Sequence, residues 1–412
     1  MNTPNTPIKT KLRILMVAAC PFPWPRGTPV RIERLSEALV KQGHSVDVVT
    51  YHLGKETDHH DFRVFRTRNI RYYTKVSAGP SLTKLLVLNP LLASKILKAS
   101  KLHQYDVVHA HHIEGLLSAR IARRFGLNLP IVYDAHTLIE SELPDYGPKF
   151  GQSIKASLGG MLDHWLPKGA DSVIAVTESI RSALLSNDTH QAHKVSVIPN
   201  GIEDDFIERA EAQSTSNPIE TSAAKGLRPY QFLFAGNMAS YQGIDLMLES
   251  FAKLLSVEPN AVLSIITDEP FDAYEDLANT LGIRKKISIQ SVSLEQLPIV
   301  ISSADVLLNP RTICAGIPQK LLNYMACAKP IVSYEGSAKI AINRVHALVV
   351  ENGDVSAFSD AMIELINDPA MGRKLSENAF KLIHENYSWD NTATNTIRVY
   401  EDTIASHPKQ AT

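Results

Sequence analysis

The sequence predicts an α/β protein built from two doubly wound, parallel-sheet domains of the Rossmann type. Three observations carry this reading. Short apolar runs alternate with amphipathic stretches of helical period along most of the chain. That rhythm lapses once, over 204–228, and then restarts. The chain has 412 residues, more than one ordinary domain holds, and its 44% hydrophobic content is enough for two cores.

The elements follow in order. Residues 12–19 (LRILMVAA) form a continuous apolar run, as expected of a strand buried on both faces. A Pro- and Gly-rich turn leads to an amphipathic helix over 30–42 that stops at Gly43. Residues 45–51 give the next strand, so the chain opens as a β-α-β unit with a right-handed crossover. Further strands are read at 106–110, 130–133, 172–176 and 195–198, with a helix over 113–125. These place the first domain at 1–203. Residues 204–228 contain AEAQSTSNPIETSAAKG, polar and small, and read as a linker or long loop. A second β-α series fills 229–389, with strands at 231–235, 261–266, 286–290, 306–309 and 330–333 and a helix over 243–255. The last helix, about 390–406, lies beyond the second sheet and is expected to cross back to the first domain. Sheets of this kind bind ligands at the carboxyl ends of their strands, so two of them imply a cleft between domains.

Composition narrows the setting. Three scattered cysteines (Cys20, Cys314, Cys327) show no metal-ligand spacing and suit a reducing compartment. Residues 1–10 are polar and no apolar run reaches the ~18–20 residues of a spanning helix, so a cytoplasmic protein is expected. The net charge of −1 hides an asymmetry. Residues 1–203 carry 25 Lys and Arg against 17 Asp and Glu, and the remainder 17 against 26. The basic half could face anionic lipid, an anionic acceptor, or simply the acidic half. Residues 82–102 (LTKLLVLNPLLASKILKASKL) adjoin the basic run Arg63, Arg66, Arg68 and Arg71. They read either as a peripheral contact with an anionic membrane, interrupted at Pro90, or as a sheet-covering helix with a solvated lysine face. No feature suggests nucleic-acid binding. No G-x-G-x-x-G follows the first strand, which argues against a dinucleotide cofactor.

Seven segments in order resemble the family-4 glycosyltransferases: KQGHSVDVVT, YDVVHAHHIEG, IVYDAHTLIE, ADSVIAVTESIRSALL, VSVIPNGIEDDFI, FLFAGNMASYQGIDLMLESFAKL and ADVLLNPRTICAGIPQKLLNYMACAKPIV. The resemblance spans most of the chain. It implies the GT-B fold, a nucleotide-sugar donor on the second domain, a glycan or lipid-linked acceptor on the first, and retention at the anomeric carbon. It also implies a place in envelope or extracellular polysaccharide or glycolipid synthesis.

The leaving group of such a donor is a diphosphate, which needs fixed cations and N–H donors. No Asp-x-Asp pair stands at a strand end, so no metal and no other cofactor is expected. Where the family usually carries Arg and Lys, this chain has Asn237 and Gln242, beside Gly236. Arg311, just after the strand 306–309, and Lys320, in the following helix, are the candidate replacements. The family's paired glutamates are matched by Ala315 and Asn323, so ribose binding falls to Asn323 in altered form. Gly316, Ile317 and Pro318 let backbone N–H groups approach the donor, or make an ordinary helix-start turn with Pro318 at its first position. On the first domain, Gly27 is either a backbone-approach position or a simple turn glycine. His136 matches the family's active-site histidine. His109, His111 and His112 look like a metal cluster, but strand alternation is expected to separate them, and they read as structural or cleft-lining. Glu140 and Glu142 read as solvated loop acids. The expected catalytic residues are His136, Arg311 and Lys320. Two other readings stay open: a degenerate sugar-nucleotide or partner-binding module, and a non-hydrolysing sugar-nucleotide epimerase. Against the latter, no carboxylate lies between Pro310 and Tyr324.

Overall fold

The computed structural model describes all residues except 1–10, 25–26, 56–60, 76–82, 146–150, 187–188, 217–227, 315 and 408–412. The chain divides into two compact units, residues 1–201 with 389–412, and residues 202–388.

The first unit runs β1 (Arg13–Ala18), α1 (Gly27–Lys41), β2 (Ser45–Thr50), β3 (Arg63–Arg66), α2 (Asn89–Leu102), β4 (Val107–His111), α3 (His112–Arg124), β5 (Ile131–Ala135), α4 (Ile139–Glu142), α5 (Gln152–Trp165), β6 (Ser172–Ala175), α6 (Glu178–Leu185) and β7 (Val195–Val197). Its seven parallel strands lie in the order β3-β2-β1-β4-β5-β6-β7, which reverses at β1 and β4. One face of the sheet packs residues such as Leu15, Val17, Val108 and Tyr133 against α2 and α3. The other packs Ile14, Met16, Val48 and Ile174 against α1 and the C-terminal helix. Both faces are covered, which is why these strands read as unbroken apolar runs.

The second unit runs α7 (Asp204–Ser216), β8 (Gln231–Ala235), α8 (Ile244–Leu255), β9 (Val262–Ile266), α9 (Asp272–Thr280), β10 (Ile287–Gln290), α10 (Leu297–Ser303), β11 (Val306–Asn309), α11 (Gln319–Ala326), β12 (Ile331–Tyr334), α12 (Glu335–Ala338), β13 (Leu348–Val350), α13 (Val355–Asn367) and α14 (Pro369–Asn386). Its six parallel strands lie in the order β10-β9-β8-β11-β12-β13, with the switch at β8 and β11. The switch points of both sheets are where open α/β sheets hold ligands.

The last helix, α15 (Trp389–Ser406), belongs to the first unit. Thr392 Oγ1 donates to the Pro199 carbonyl (3.1 Å), Lys41 pairs with Asp390 (2.9 Å), and Tyr400 is fully buried.

Four details differ from the sequence reading. The linker expected at 204–228 begins instead with α7, whose Phe206, Ile207 and Ala210 join the core of the second unit. Residues 217–227 lie outside the described residues. The edge strands β3 and β13 were not anticipated, being three or four residues long. Pro90 does not break the 82–102 segment: Lys84–Leu88 form a π-helical turn that runs straight into α2. Pro90 is the second residue of α2, directly after that turn. Finally, part of the basic run is structural. Arg63 forms a two-pronged pair with Asp47 (2.8 and 2.6 Å), and Arg66 donates to the Phe22, Leu53 and Lys55 carbonyls.

Candidate active site

Five of the sequence-predicted residues come together in the second unit, at the carboxyl ends of β8 and β11. The β8–α8 turn is held down at Gly243, whose φ is +71° and whose backbone lies so close to the next loop that a Cβ would stand 2.2 Å from the Pro310 oxygen. Only glycine meets both conditions. The turn thereby presents Gly236, Asn237 and Gln242 beside Lys320.

A chain of hydrogen bonds then connects them. Lys320 Nζ donates to Gln242 Oε1 (2.7 Å), Gln242 Nε2 to Asn237 Oδ1 (2.9 Å), and Asn237 Nδ2 to the Tyr241 hydroxyl (2.8 Å). Arg311 lies over the Tyr241 ring (4.7 Å) and donates from Nε to the Ile313 carbonyl (2.6 Å). Lys320 Nζ sits over the Phe234 ring (4.0 Å). Among the described residues, neither cation is paired with a carboxylate. Burial first, and the Arg311 charge second, push the Lys320 amine down to about 7. The site thus holds an unneutralised Arg and a lysine that gains its charge readily when an anion arrives.

The other residues expected at the donor are placed as follows. Pro318 has extended backbone and caps α11 rather than opening it, so Lys320 is the second residue of the helix. Gly316 and Ile317 immediately precede this cap, and Ala315 lies outside the described residues. Asn323 is one turn further along α11, where its Oδ1 accepts from Gln319 Nε2 (3.3 Å). Tyr241 and Phe234 were missed by sequence reasoning. A signal existed for Tyr241, an aromatic just before Gln242; none existed for Phe234, an ordinary strand apolar.

The first unit holds a different kind of cluster. Strand alternation places residues i and i+2 on one face, so His109 and His111 are together, not separated as the sequence reading expected. Their ring centroids are 4.2 Å apart. His111 faces Asp134 across the β4–β5 register. Asp134, fully buried, is held by Arg31 Nε (3.0 Å), whose other nitrogens donate to Asn200 Oδ1 (2.8 Å) and the Ile198 carbonyl (3.1 Å). His109 Nδ1 shares a 2.6 Å hydrogen bond with the Tyr400 hydroxyl, so α15 reaches into this cluster. His136, just past β5, shares a 3.3 Å N–H···N bond with His111. The other Asp134 oxygen accepts no hydrogen bond and lies 3.8 Å from His136 Nε2.

The charges are arranged accordingly. Burial alone would raise the Asp134 pKa, but Arg31 and the histidines outweigh it and hold the carboxyl well below its ordinary range. Burial lowers His109 and His111, and takes His136 down to about 3 against the opposing pull of Asp134. All three rings are neutral at neutral pH. His109, His111 and Asp134 each offer a ligand atom, all within 4.8 Å of one another. Arg31 already neutralises the one anionic donor, however, so a divalent ion would add uncompensated charge to a balanced, buried group. Arg31, Asp134 and Tyr400 were not singled out from the sequence, because only the tertiary fold brings them to the histidines. Gly27, with φ +49°, opens α1, and among the described residues beyond its chain neighbours and its own helix no heavy atom lies within 4 Å of where its Cβ would be. His112 starts α3, and Glu140 donates its backbone N–H to Asp163 (2.9 Å).

Two doubly wound parallel sheets, with Arg311 and Lys320 at the switch point of the second, fit the GT-B fold. Residues 25–206 match the family model described as Glycosyltransferase Family 4, and residues 218–382 match Glycosyl transferases group 1. An uncharacterized glycosyltransferase of Methanocaldococcus jannaschii is 26% identical over 91% of this chain and 94% of its own length. The alpha-monoglucosyldiacylglycerol synthase of Streptococcus pneumoniae is 25% identical over 91% and 85%. Among solved structures, a glycosyltransferase from Rickettsia africae superposes with a TM-score of 0.72 at 16% identity, covering 96% of this chain and 99% of that one. Anabaena Alr3699/HepE in complex with UDP superposes with a TM-score of 0.69 at 16% identity, covering 95% and 100%. The chain belongs to glycosyltransferase family 4, of the GT-B fold, and is a glycosyltransferase.

Proposed function

We propose that this glycosyltransferase takes a sugar from a nucleotide-sugar donor, with retention and without a catalytic metal, and transfers it to a glycan or lipid-linked acceptor in envelope, extracellular polysaccharide or glycolipid synthesis. The observation that carries this reading is a pair of cations, Arg311 and Lys320, at the switch point of the second sheet, with no carboxylate partner among the described residues. A diphosphate supplies the missing charge. Arg311 grips it as a fork and Lys320 as a point charge, while Gln242 and Asn237 hold the lysine in place. Asn323 bonds the ribose, and the backbone before Pro318 approaches the donor.

In the reaction, the bond from the anomeric carbon to the diphosphate oxygen breaks and its electron pair stays with the diphosphate. The acceptor hydroxyl oxygen bonds to the same face of that carbon and passes its proton to the departing diphosphate oxygen. No enzymic nucleophile is required. His136, neutral and backed by His111 and Asp134, serves to hydrogen-bond the transferred sugar. The UDP bound by HepE and the lipid product named for the Streptococcus pneumoniae relative support the donor and acceptor classes.

The test is turnover of nucleotide sugars by the Arg311→Ala, Lys320→Ala double variant. A loss of at least about a thousandfold is expected, since each donor to a developing anion contributes ~10²–10³. Unchanged turnover places the phosphate site elsewhere.

A further inference from the structure

The cluster around Asp134 dictates where its protons sit, and that decides what His136 can offer a ligand. Tyr400 sets the first position. It is fully buried, and among the described residues its hydroxyl meets only His109 Nδ1 (2.6 Å). A hydroxyl that donates there needs Nδ1 bare, so neutral His109 carries its proton on Nε2, 3.3 Å from Asp134 Oδ2. The opposite tautomer would leave the Tyr400 proton without an acceptor and turn a lone pair on a carboxylate. Asp134 Oδ2 therefore faces N–H groups of Arg31 (3.0 Å) and His109. Asp134 Oδ1, equally buried, accepts none.

Met16 sets the second position. His111 Nε2 lies 3.2 Å from its Sδ, and a thioether accepts but cannot donate. The proton of neutral His111 therefore belongs on Nε2, which leaves its Nδ1 as an acceptor. That Nδ1 is 3.3 Å from His136 Nε2. His136 matches it by carrying its own proton on Nε2, where the N–H serves His111 and also lies 3.8 Å from the bare Asp134 Oδ1. With both protons moved to Nδ1, one lone pair would face the sulfur and another would face Oδ1, and that oxygen would have no N–H near it. The one cost of the favoured arrangement is a His111 lone pair 3.5 Å from Oδ2, an oxygen that already faces two N–H groups.

The remaining nitrogen is the open one. The His136 side chain is 9% exposed, and its Nδ1 is neither fully buried nor hydrogen-bonded among the described residues. His136 stands just past β5, at the carboxyl edge of the first sheet. We infer that Met16 and His111 are positioning residues that hold His136 as its Nε2–H tautomer, so that its bare Nδ1 accepts a hydrogen bond from a hydroxyl of the transferred sugar. A substituent at that position with no proton to give, such as a carboxylate or a fluorine, would leave Nδ1 unpaired and be selected against. The contact with sugar rests on the proposed function; the tautomer does not.

The test is nitrogen-15 NMR of the full chain with labelled histidine rings, the His136 signals being those lost in His136→Gln. In the ligand-free parent, His136 Nδ1 should resonate as an unprotonated ring nitrogen and Nε2 as a protonated one. Met16→Leu conserves volume and should melt close to the parent. It removes the partner of His111 Nε2, so the His111 proton should move to Nδ1 and the His136 proton to Nδ1 with it. UDP-glucose, GDP-mannose or ADP-glucose, whichever raises the melting temperature, should shift the parent's Nδ1 signal further than the matching nucleoside diphosphate does. A protonated Nδ1 in the parent overturns the inference, as does an unchanged His136 tautomer in Met16→Leu. Equal shifts with and without the sugar overturn the hydroxyl contact. Stabilisation by none of the three contradicts the donor reading instead, and the two ligand-free spectra still decide the tautomer.

Discussion

The two units treat buried charge in opposite ways. In the first, Asp134 and Arg31 neutralise each other inside the fold, and three neutral histidines and a tyrosine are packed around them. In the second, among the described residues, largely buried Lys320 meets an amide oxygen and an aromatic ring, and Arg311 a ring and a carbonyl. The charges of the first arrangement balance without a ligand. The second has charge left over. A cation held away from water without an anion costs free energy unless a ligand supplies one, which is why the second cluster reads as a binding site and the first as a scaffold that positions His136.

Breaking the completed pair should have the largest effect. Asp134→Asn leaves the Arg31 cation buried and unmatched, and should cost about 3–5 kcal/mol of stability in denaturant unfolding. A cost under about 1 kcal/mol would mean the pair is dispensable.

Acid should act on the same cluster. His109, His111 and His136 have folded pKa values below the unfolded value near 6.5, so the unfolded chain binds more protons as pH falls. Stability is full above pH 6.5 and declines below it, by about 1.4 kcal/mol per pH unit for each histidine that remains neutral when folded. Thermal unfolding from pH 7 to 4.5 checks this, and His109→Gln should flatten the slope.

Lys320 titrates with the opposite consequence. Its folded pKa near 7 lies below the unfolded value of 10.5, so the ligand-free chain gains stability as pH rises from about 7 toward 10.5. Donor binding has the reverse dependence, because the diphosphate favours charged Lys320. Affinity for a nucleotide sugar, whose pyrophosphate does not titrate there, should fall from pH 7 to 8.5 by up to about tenfold per unit. Lys320→Arg should abolish that fall; an identical profile in the variant contradicts the assignment.

The smallest effect is expected at Gly236. A Cβ there would stand 3.0 Å from Phe234 Cζ and 3.2 Å from Lys320 Nζ, so Gly236→Ala must push the ammonium aside. Donor affinity should drop several-fold while stability changes by about 1–2 kcal/mol. Calorimetric titration and melting separate the two.

The same contrast explains what the sequence could show. The residues proposed for the donor in the second unit lie within two short stretches, 236–242 and 311–323, each at the end of a recognisable strand, so position along the chain was enough to single them out. The scaffold around His136 draws Arg31, His109, Asp134 and Tyr400 from α1, β4, β5 and α15, and no local pattern connects elements so far apart. Two local signals were also misjudged. The i, i+2 spacing of His109 and His111 puts both on one face, and the polar 204–216 stretch hides a helix whose only apolar side is Phe206, Ile207 and Ala210.

The proposed diphosphate site consists of Arg311 and Lys320. It is tested most directly by melting the purified protein with UDP, GDP and ADP, each with and without EDTA, alongside the Arg311→Ala, Lys320→Ala variant. A ligand that binds only the folded state must raise the melting temperature. A rise with one nucleotide is expected, one that survives EDTA and disappears in the variant. No rise with any nucleotide, or an equal rise in the variant, would contradict it.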